Sequence, residues 1–389
     1  MTSFPPALVL KGSFGLSPKG RQLRNALIGV QYVASFGLII GATFMYLQNY
    51  YMQNTPLGYD KDEIIITNMN NNIRKSRDAF ASQVKSFSGI EEVTYAEMLL
   101  SSQDQYMGWG RKYRDKDIQL QCLPVEPSFL KVMNVKISEG RDFREEDKAQ
   151  RYGTFVFNVR ARTEYGLEIG SLIDSMEIVG FMPDVKFASF RTEVTPMAFF
   201  VWGTNNWGNQ PNYAYIKVKA GSDLRGAMQH VKTTLQSFDP EYPFNVRFFD
   251  EVLNGLYEKE RSLSSLITLF SLIAIFISVV GVFGLVVFDS EYRKKEIGIR
   301  KVLGSTTEEI IVMFNKTYIR ILCVCFVLGA PIAGYVVHRW LENFAYKTPM
   351  YWWVYLIAFA IIAVITILTV TFQNWRAANE NPVHSIKNE

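Results

Sequence analysis

The chain has 389 residues, a net charge of +4, 20% charged residues and three cysteines. Its mean hydropathy of +0.03 is too apolar for a disordered or fibrous chain. So small and scattered a positive charge argues against nucleic acid as a partner, and three cysteines cannot build a disulfide-rich scaffold. The N-terminal segment, 1–25, carries Lys11, Lys19, Arg21 and Arg24. Residues 26–47 then run without a charge. A bilayer core about 30 Å thick takes roughly 20 apolar residues as helix, so this run can span one. It is longer than the core of a signal peptide, which reaches about 15 residues, and it ends in Thr43-Phe44-Met45-Tyr46-Leu47 without a small-x-small cleavage site. A retained anchor is expected. Gly37 and Gly41 place a G-x-x-x-G on it, a spacing that lets helix backbones approach, and they are candidates for packing between subunits.

Residues 48–263 are normally polar and read as mixed α and β. Strands are expected at 62–67, 92–96, 118–122, 154–157, 176–182, 197–202, 213–219 and 245–249. Helices are expected at 71–87, where Ile73, Phe80, Val84 and Phe87 recur at helical spacing, and at 223–238, capped near Ser222 or Asp223. No catalytic constellation is visible here. His230 reads as a surface histidine on a helix and Cys122 as a buried thiol. The run Glu145-Glu146-Asp147 reads as a solvated helix start, and Trp109, Trp202 and Trp207 as loop packing or a contact face.

Three more apolar runs follow. Residues 264–288 and 351–373 carry no charge, and 317–337 is interrupted only by Arg320, placed to snorkel to the headgroups or to pair with Glu296. The links are 289–316 and 338–350, and the tail is 374–389. The first link carries Arg293, Lys294, Lys295, Arg300, Lys301 and Lys316, whereas the second carries only Arg339 and Lys347. The positive-inside rule then puts both termini and the first link in the cytoplasm and 48–263 outside. The predicted class is an α-helical membrane protein with four transmembrane helices and an α+β extracytoplasmic domain inserted between helices 1 and 2.

The link 289–316 is the most informative segment. A short amphipathic basic helix carries Ile297, Val302 and Leu303, and Gly304 stands where a C′ glycine would end it. Ser305 and Glu308 are spaced as a capping box opening the next helix. Such a helix either lies on anionic lipid or docks a cytoplasmic partner. The run Glu296-Ile297-Gly298-Ile299-Arg300-Lys301-Val302-Leu303-Gly304-Ser305 resembles the E-x-G-[IV]-R-[KR]-A-[LI]-G-A stretch of FtsX-like, or MacB-type, ABC transporter permeases. Phe129 to Val135 with Glu139-Gly140-Arg141-Asp142-Phe143, and Glu177 to Phe181, resemble that family's periplasmic core domain.

The resemblance implies a permease subunit of a bacterial cytoplasmic membrane, working as two copies or repeats on a separate ABC ATPase. Closure of the helices would move the outer domain, by mechanotransmission, to export or extract a hydrophobic or amphiphilic cargo. The coupling residues would be Glu296 to Gly304, with Gly298 letting partner backbone come close. A periplasmic partner is a further expectation, and the alternative is a scaffold that regulates a cell-wall hydrolase or sensor. Pro6-x-x-x-Leu10-Lys11 and Pro382-x-x-x-Ile386-Lys387 resemble tails of the family's four-span repeats, so the chain reads as a second repeat or a single-repeat relative. No G-x-x-x-x-G-K-[ST], H-E-x-x-H, C-x-x-C or G-x-S-x-G occurs. The chain is therefore expected to be no enzyme and to hold no cofactor, ATP being bound by the partner subunit.

Overall fold

The computed structural model describes residues 18–101, 107–186, 189–205, 210–292, 299–300 and 303–378. They form two units: an outer unit of 54–259 with Phe344–Tyr346, and a helical unit made of the rest. The chain enters through α1 (Pro18–Asn54), which belongs to the helical unit.

In the outer unit, β1 (Ile64–Asn68) leads to two short helices, α2 (Asn71–Lys75) and α3 (Arg77–Lys85), and to β2 (Ile90–Ala96). The hairpin of β3 (Met107–Tyr113) and β4 (Lys116–Pro124) runs through α4 (Phe129–Val132) to β5 (Glu139–Gly140), a 3-10 turn at Glu145–Ala149 and β6 (Thr154–Asn158). Then come α5 (Val159–Tyr165), β7 (Leu172–Ile173), β8 (Met176–Met182), β9 (Met197–Val201), β10 (Tyr213–Val218), α6 (Leu224–Phe238), β11 (Val246–Phe248) and α7 (Phe249–Gly255). An antiparallel sheet has the order β11-β1-β10-β2. A larger mixed sheet has the order β3-β4-β9-β6-β8-β5, with β7 beside β8.

Strand side chains alternate between faces, and on the inner strands here both faces are covered. Ile64 and Ile66 enter a central cluster with Phe129, Phe199 and Tyr215, while Ile65 enters a second cluster with Phe80, Val84, Val231 and Leu235 from the helices. On β9, Met197, Phe199 and Val201 face the central cluster, and Ala198 and Phe200 face a third with Phe155, Phe157 and Phe181. Two-sided burial is why Ile64-Ile65-Ile66 and Met197 to Val201 read as unbroken apolar runs.

Some expectations are corrected. The single helix expected over 71–87 is two. Asn70 caps the first by accepting from Ile73 N at 3.0 Å, and Ser76, at φ −116° and ψ 30°, ends it before Arg77. The acidic run is not a fully solvated start: Asp147 is completely buried and takes both terminal nitrogens of Arg141 at 2.8 Å. The strand β3 and helix α5 were not among the sequence-based expectations.

After α7 the chain returns to the helical unit through α8 (Glu258–Tyr292), α9 (Thr307–Leu341) and α10 (Trp352–Ala378). Among the described residues, four helices of this unit are long and apolar enough to cross a membrane. Each extends past its apolar run. α9 buries Ile310, Phe314, Tyr318, Leu322, Cys325, Gly329, Ala333, Val337 and Leu341, a stripe three to four residues apart. Phe36, Phe326 and Phe359 meet with ring centroids 5.1 to 6.4 Å apart, joining α1, α9 and α10.

Candidate functional site

Gly304 has φ +94°, a left-handed backbone that suits glycine. Leu303 N donates to Ile299 O at 3.0 Å and Ser305 N to Arg300 O at 2.9 Å, closing the chain across the glycine in the manner of a Schellman stop. The next helix opens one residue later than expected. Thr306, not Ser305, is the N-cap: its hydroxyl accepts from Glu309 N at 3.2 Å, and the Glu309 carboxylate accepts from Thr306 N at 3.1 Å. Glu308 lies in the first turn without this role. Just before the stop, Leu303 is 80% exposed and Ile299 56% exposed. Glu296, Ile297, Gly298, Lys301 and Val302 lie outside the described residues.

In the helical unit, polar groups pair across helices. Tyr32 Oη lies 3.0 Å from Thr366 Oγ1, Ser35 Oγ 2.8 Å from Ser278 Oγ, and Asn315 Nδ2 donates to Thr371 Oγ1 at 3.0 Å. Close helix approach inside the chain uses Gly329, where a Cβ would lie 3.4 Å from Val33 Cα. A Cβ at Gly37 or Gly41 would meet nothing within 4 Å among the described residues. Their face is thus not used for close packing within the chain. Arg320 is exposed and has no ion-pair partner among the described residues.

In the outer unit, Trp109 and Trp202 pack with Phe200 at centroid distances of 4.8 Å each, and Trp207 lies outside the described residues. His230 is a surface residue stacked on Phe87, with Nε2 3.0 Å from Gln83 O. Cys122 is buried. No group of three or more His, Cys, Asp or Glu that could hold a metal occurs among the described residues.

One cluster went unnoticed in the sequence. Phe344–Tyr346, from the link between α9 and α10, belong to the outer unit. Tyr346 N donates to Phe190 O at 3.1 Å, and Val194 N donates to Tyr346 Oη at 3.3 Å. Lys186 Nζ lies 4.5 Å from the Tyr346 ring centroid and 5.1 Å from that of Phe190, and Arg191 stands over Phe344. Burial pulls the Lys186 ammonium below its ordinary pKa. Aromatics at 344 and 346 beside Lys347 were the only signal, and a short loop offers no period to read.

Two family profiles match the chain. The MacB-like periplasmic core domain covers residues 28–234, more than half of it, and the FtsX-like permease C-terminal domain covers 268–382. Similar proteins include the macrolide export ATP-binding/permease protein MacB of Chromobacterium violaceum, 23% identical over 230 residues, or 56% of this chain and 35% of that one. The protein of the same name from Escherichia coli K12 is 23% identical over 233 residues, with the same coverage. The chain thus spans about a third of the length of these relatives. Among solved structures, the periplasmic region of MacB from Actinobacillus actinomycetemcomitans aligns with a TM-score of 0.38 at 13% identity, covering 53% of this chain and 97% of that one. The extracellular domain of the ABC-type transporter YknZ from Gram-positive bacteria aligns at 0.35 and 11%, covering 47% and 99%.

Proposed function

Because the chain belongs to the FtsX-like permease family and carries a MacB-like periplasmic core domain, we propose that it is the permease subunit of an ABC transporter, which couples ATP hydrolysis by a separate cytoplasmic ATPase to movement of its outer domain. The observation that carries this reading is the cytoplasmic link. It holds exposed Leu303 and Ile299 against a glycine stop and a capped helix start. A flexible link would dissipate motion, whereas a closed turn joined directly to α9 passes it on. Apolar side chains exposed in this way fit a partner groove, and Arg300 and Lys301 fit its acidic rim.

On this reading Glu296 to Gly304 form the docking element, and the bacterial cytoplasmic membrane holds α1, α8, α9 and α10 with both termini inside. The outer unit incorporates Phe344–Tyr346, so α9 and α10 are joined to it by chain on both sides. That connectivity suits mechanotransmission to a hydrophobic or amphiphilic cargo, a class consistent with the macrolide export named for its relatives. A second copy or repeat would complete the assembly, with Gly37 and Gly41 at its interface.

The test is pull-down and ATPase stimulation with the cognate ATPase, both in nanodiscs. Leu303→Ala removes an anchor and is expected to weaken association by about 2 kcal/mol. Gly298→Trp blocks close approach and uncouples. Arg300→Glu weakens binding in a salt-dependent way. Normal binding and stimulation by all three variants would overturn the assignment of the link.

A further inference from the structure

The outer unit contains a second feature, independent of any ATPase. A cleft of ≈ 370 Å³ opens where the helices beside the antiparallel sheet face the ends of β4 and β9. Its volume falls in the range of small-molecule sites, roughly 300–1,000 Å³. Four cations line it, Arg74, Lys75, Arg77 and Lys148, against two carboxylates, Glu97 and Glu126.

These charges are unequally served. Arg77 Nη1 reaches Glu126 Oε1 at 2.6 Å, and Lys148 Nζ reaches Glu126 Oε2 at 2.9 Å. Both oxygens of Glu126 are thereby occupied, and Lys148 also holds Glu145 at 2.8 Å. Arg74 and Lys75 have no ion-pair partner among the described residues. The Nε of Arg74 is buried and donates to no acceptor there. A buried donor left unsatisfied costs about 1–3 kcal/mol, more when it is charged, so the site favours an incoming acceptor. Glu97 does not supply one: no hydrogen bond or ion pair joins it to Arg74 among the described residues, and its own buried Oε2 has no hydrogen-bond partner there. Burial pushes its carboxyl above the usual carboxylate range. The remaining wall is mixed, with Pro124, Val125, Val201 and the Trp202 ring forming an apolar stretch beside Thr204 and Gln210.

We propose that this cleft binds a small organic acid with an apolar body, its anionic oxygens on Arg74 and Lys75 and its body against Val125, Val201 and Trp202. A surplus of positive charge in a concave, partly apolar wall raises the local concentration of such an anion. The apolar stretch gives an organic anion burial energy that an inorganic anion, with no apolar surface, cannot gain.

The probe is 4-benzoylbenzoate, a carboxylate on an apolar photoreactive body, with the uncharged 4-benzoylbenzamide as control. The full chain is held in nanodiscs of phosphatidylcholine, irradiated with each probe, and its cross-linked peptides are mapped by mass spectrometry. Saturable labelling by the acid is expected on the segments holding 95–97, 124–126 or 201–204, with the amide labelling them at least about ten-fold less. Arg74→Gln combined with Lys75→Gln should lower labelling by the acid to the amide's level. Thr204→Trp, an exposed rim substitution that leaves every charge in place, should do the same by filling the cleft, and decides the matter if the double variant fails to fold. Equal labelling by acid and amide, labelling confined to the long helices, or full labelling of Thr204→Trp would overturn the site.

Discussion

The two units of this chain place their apolar side chains in opposite ways. In the outer unit Phe80, Phe129, Phe155, Phe181 and Phe199 are fully buried, and its inner strands hide both faces. In the helical unit Leu272, Phe276, Val280, Val327, Leu328 and Leu368 are more than half exposed, and the paired atoms are polar ones such as Tyr32, Ser35 and Thr366. The difference is one of solvent. Water drives apolar groups inward, whereas hydrocarbon gives them no reason to hide and leaves packing and hydrogen bonds to join helices.

That contrast can be broken most sharply at the aromatics. Phe129 meets Phe199 and Tyr215 at centroid distances of 5.5 and 5.1 Å. Phe129→Ala is expected to destabilise the outer unit by about 4 kcal/mol in thermal or urea unfolding followed by near-UV circular dichroism. Phe276→Ala, on a face 68% exposed, should stay within about 0.5 kcal/mol. A comparable loss at Phe276 would mean that protein rather than lipid covers that face.

A smaller effect belongs to the buried ion pair of the outer unit. Burial alone would raise the Asp147 carboxyl, but two hydrogen bonds from Arg141 and one from Arg144 N bring it below the usual range. A depressed carboxylate contributes stability above the unfolded value, about 3.9, and loses it as pH falls through the folded value. Asp147→Asn is therefore expected to cost about 2 kcal/mol at pH 7 and progressively less below about pH 4. A loss independent of pH would assign the effect to packing. The smallest effect is Tyr32→Phe in the helical unit. It removes the 3.0 Å contact with Thr366 and should cost about 0.6 kcal/mol in a reversible unfolding assay in bicelles.

What could be read in advance follows the same division. The apolar runs, and the strands at Met176–Met182 and Met197–Val201, announce themselves because burial on both faces leaves the strands a single polar interruption, Glu177. The strand Met107–Tyr113 does not, since Gly108, Gly110, Arg111 and Lys112 mask it, and its pairing with β4 along its whole length sets it extended. The cap after Gly304 was legible to within one residue, because Ser305 and Thr306 both offer a hydroxyl and both have a glutamate three residues on. Geometry alone chose Thr306 with Glu309. Charge composition could not reveal the cleft. Arg74 and Lys148 are far apart in sequence, and only the fold sets them around one space. The same holds for Tyr346 beside Phe190 and Lys186.

Cys122 lies inside the mixed sheet of the outer unit. It is fully buried in β4, opposite Met107 on β3 and Ala198 on β9, and burial pushes its thiol up to about 12. At neutral pH such a sulfur carries almost no thiolate and shows no surface to a reagent. It becomes alkylatable only when β4 separates from its neighbours. The outer unit thus contains its own clock: the rate at which a maleimide adds to Cys122, read on its peptide by mass so that Cys323 and Cys325 of the helical unit are told apart, counts the openings of the sheet without any engineered label.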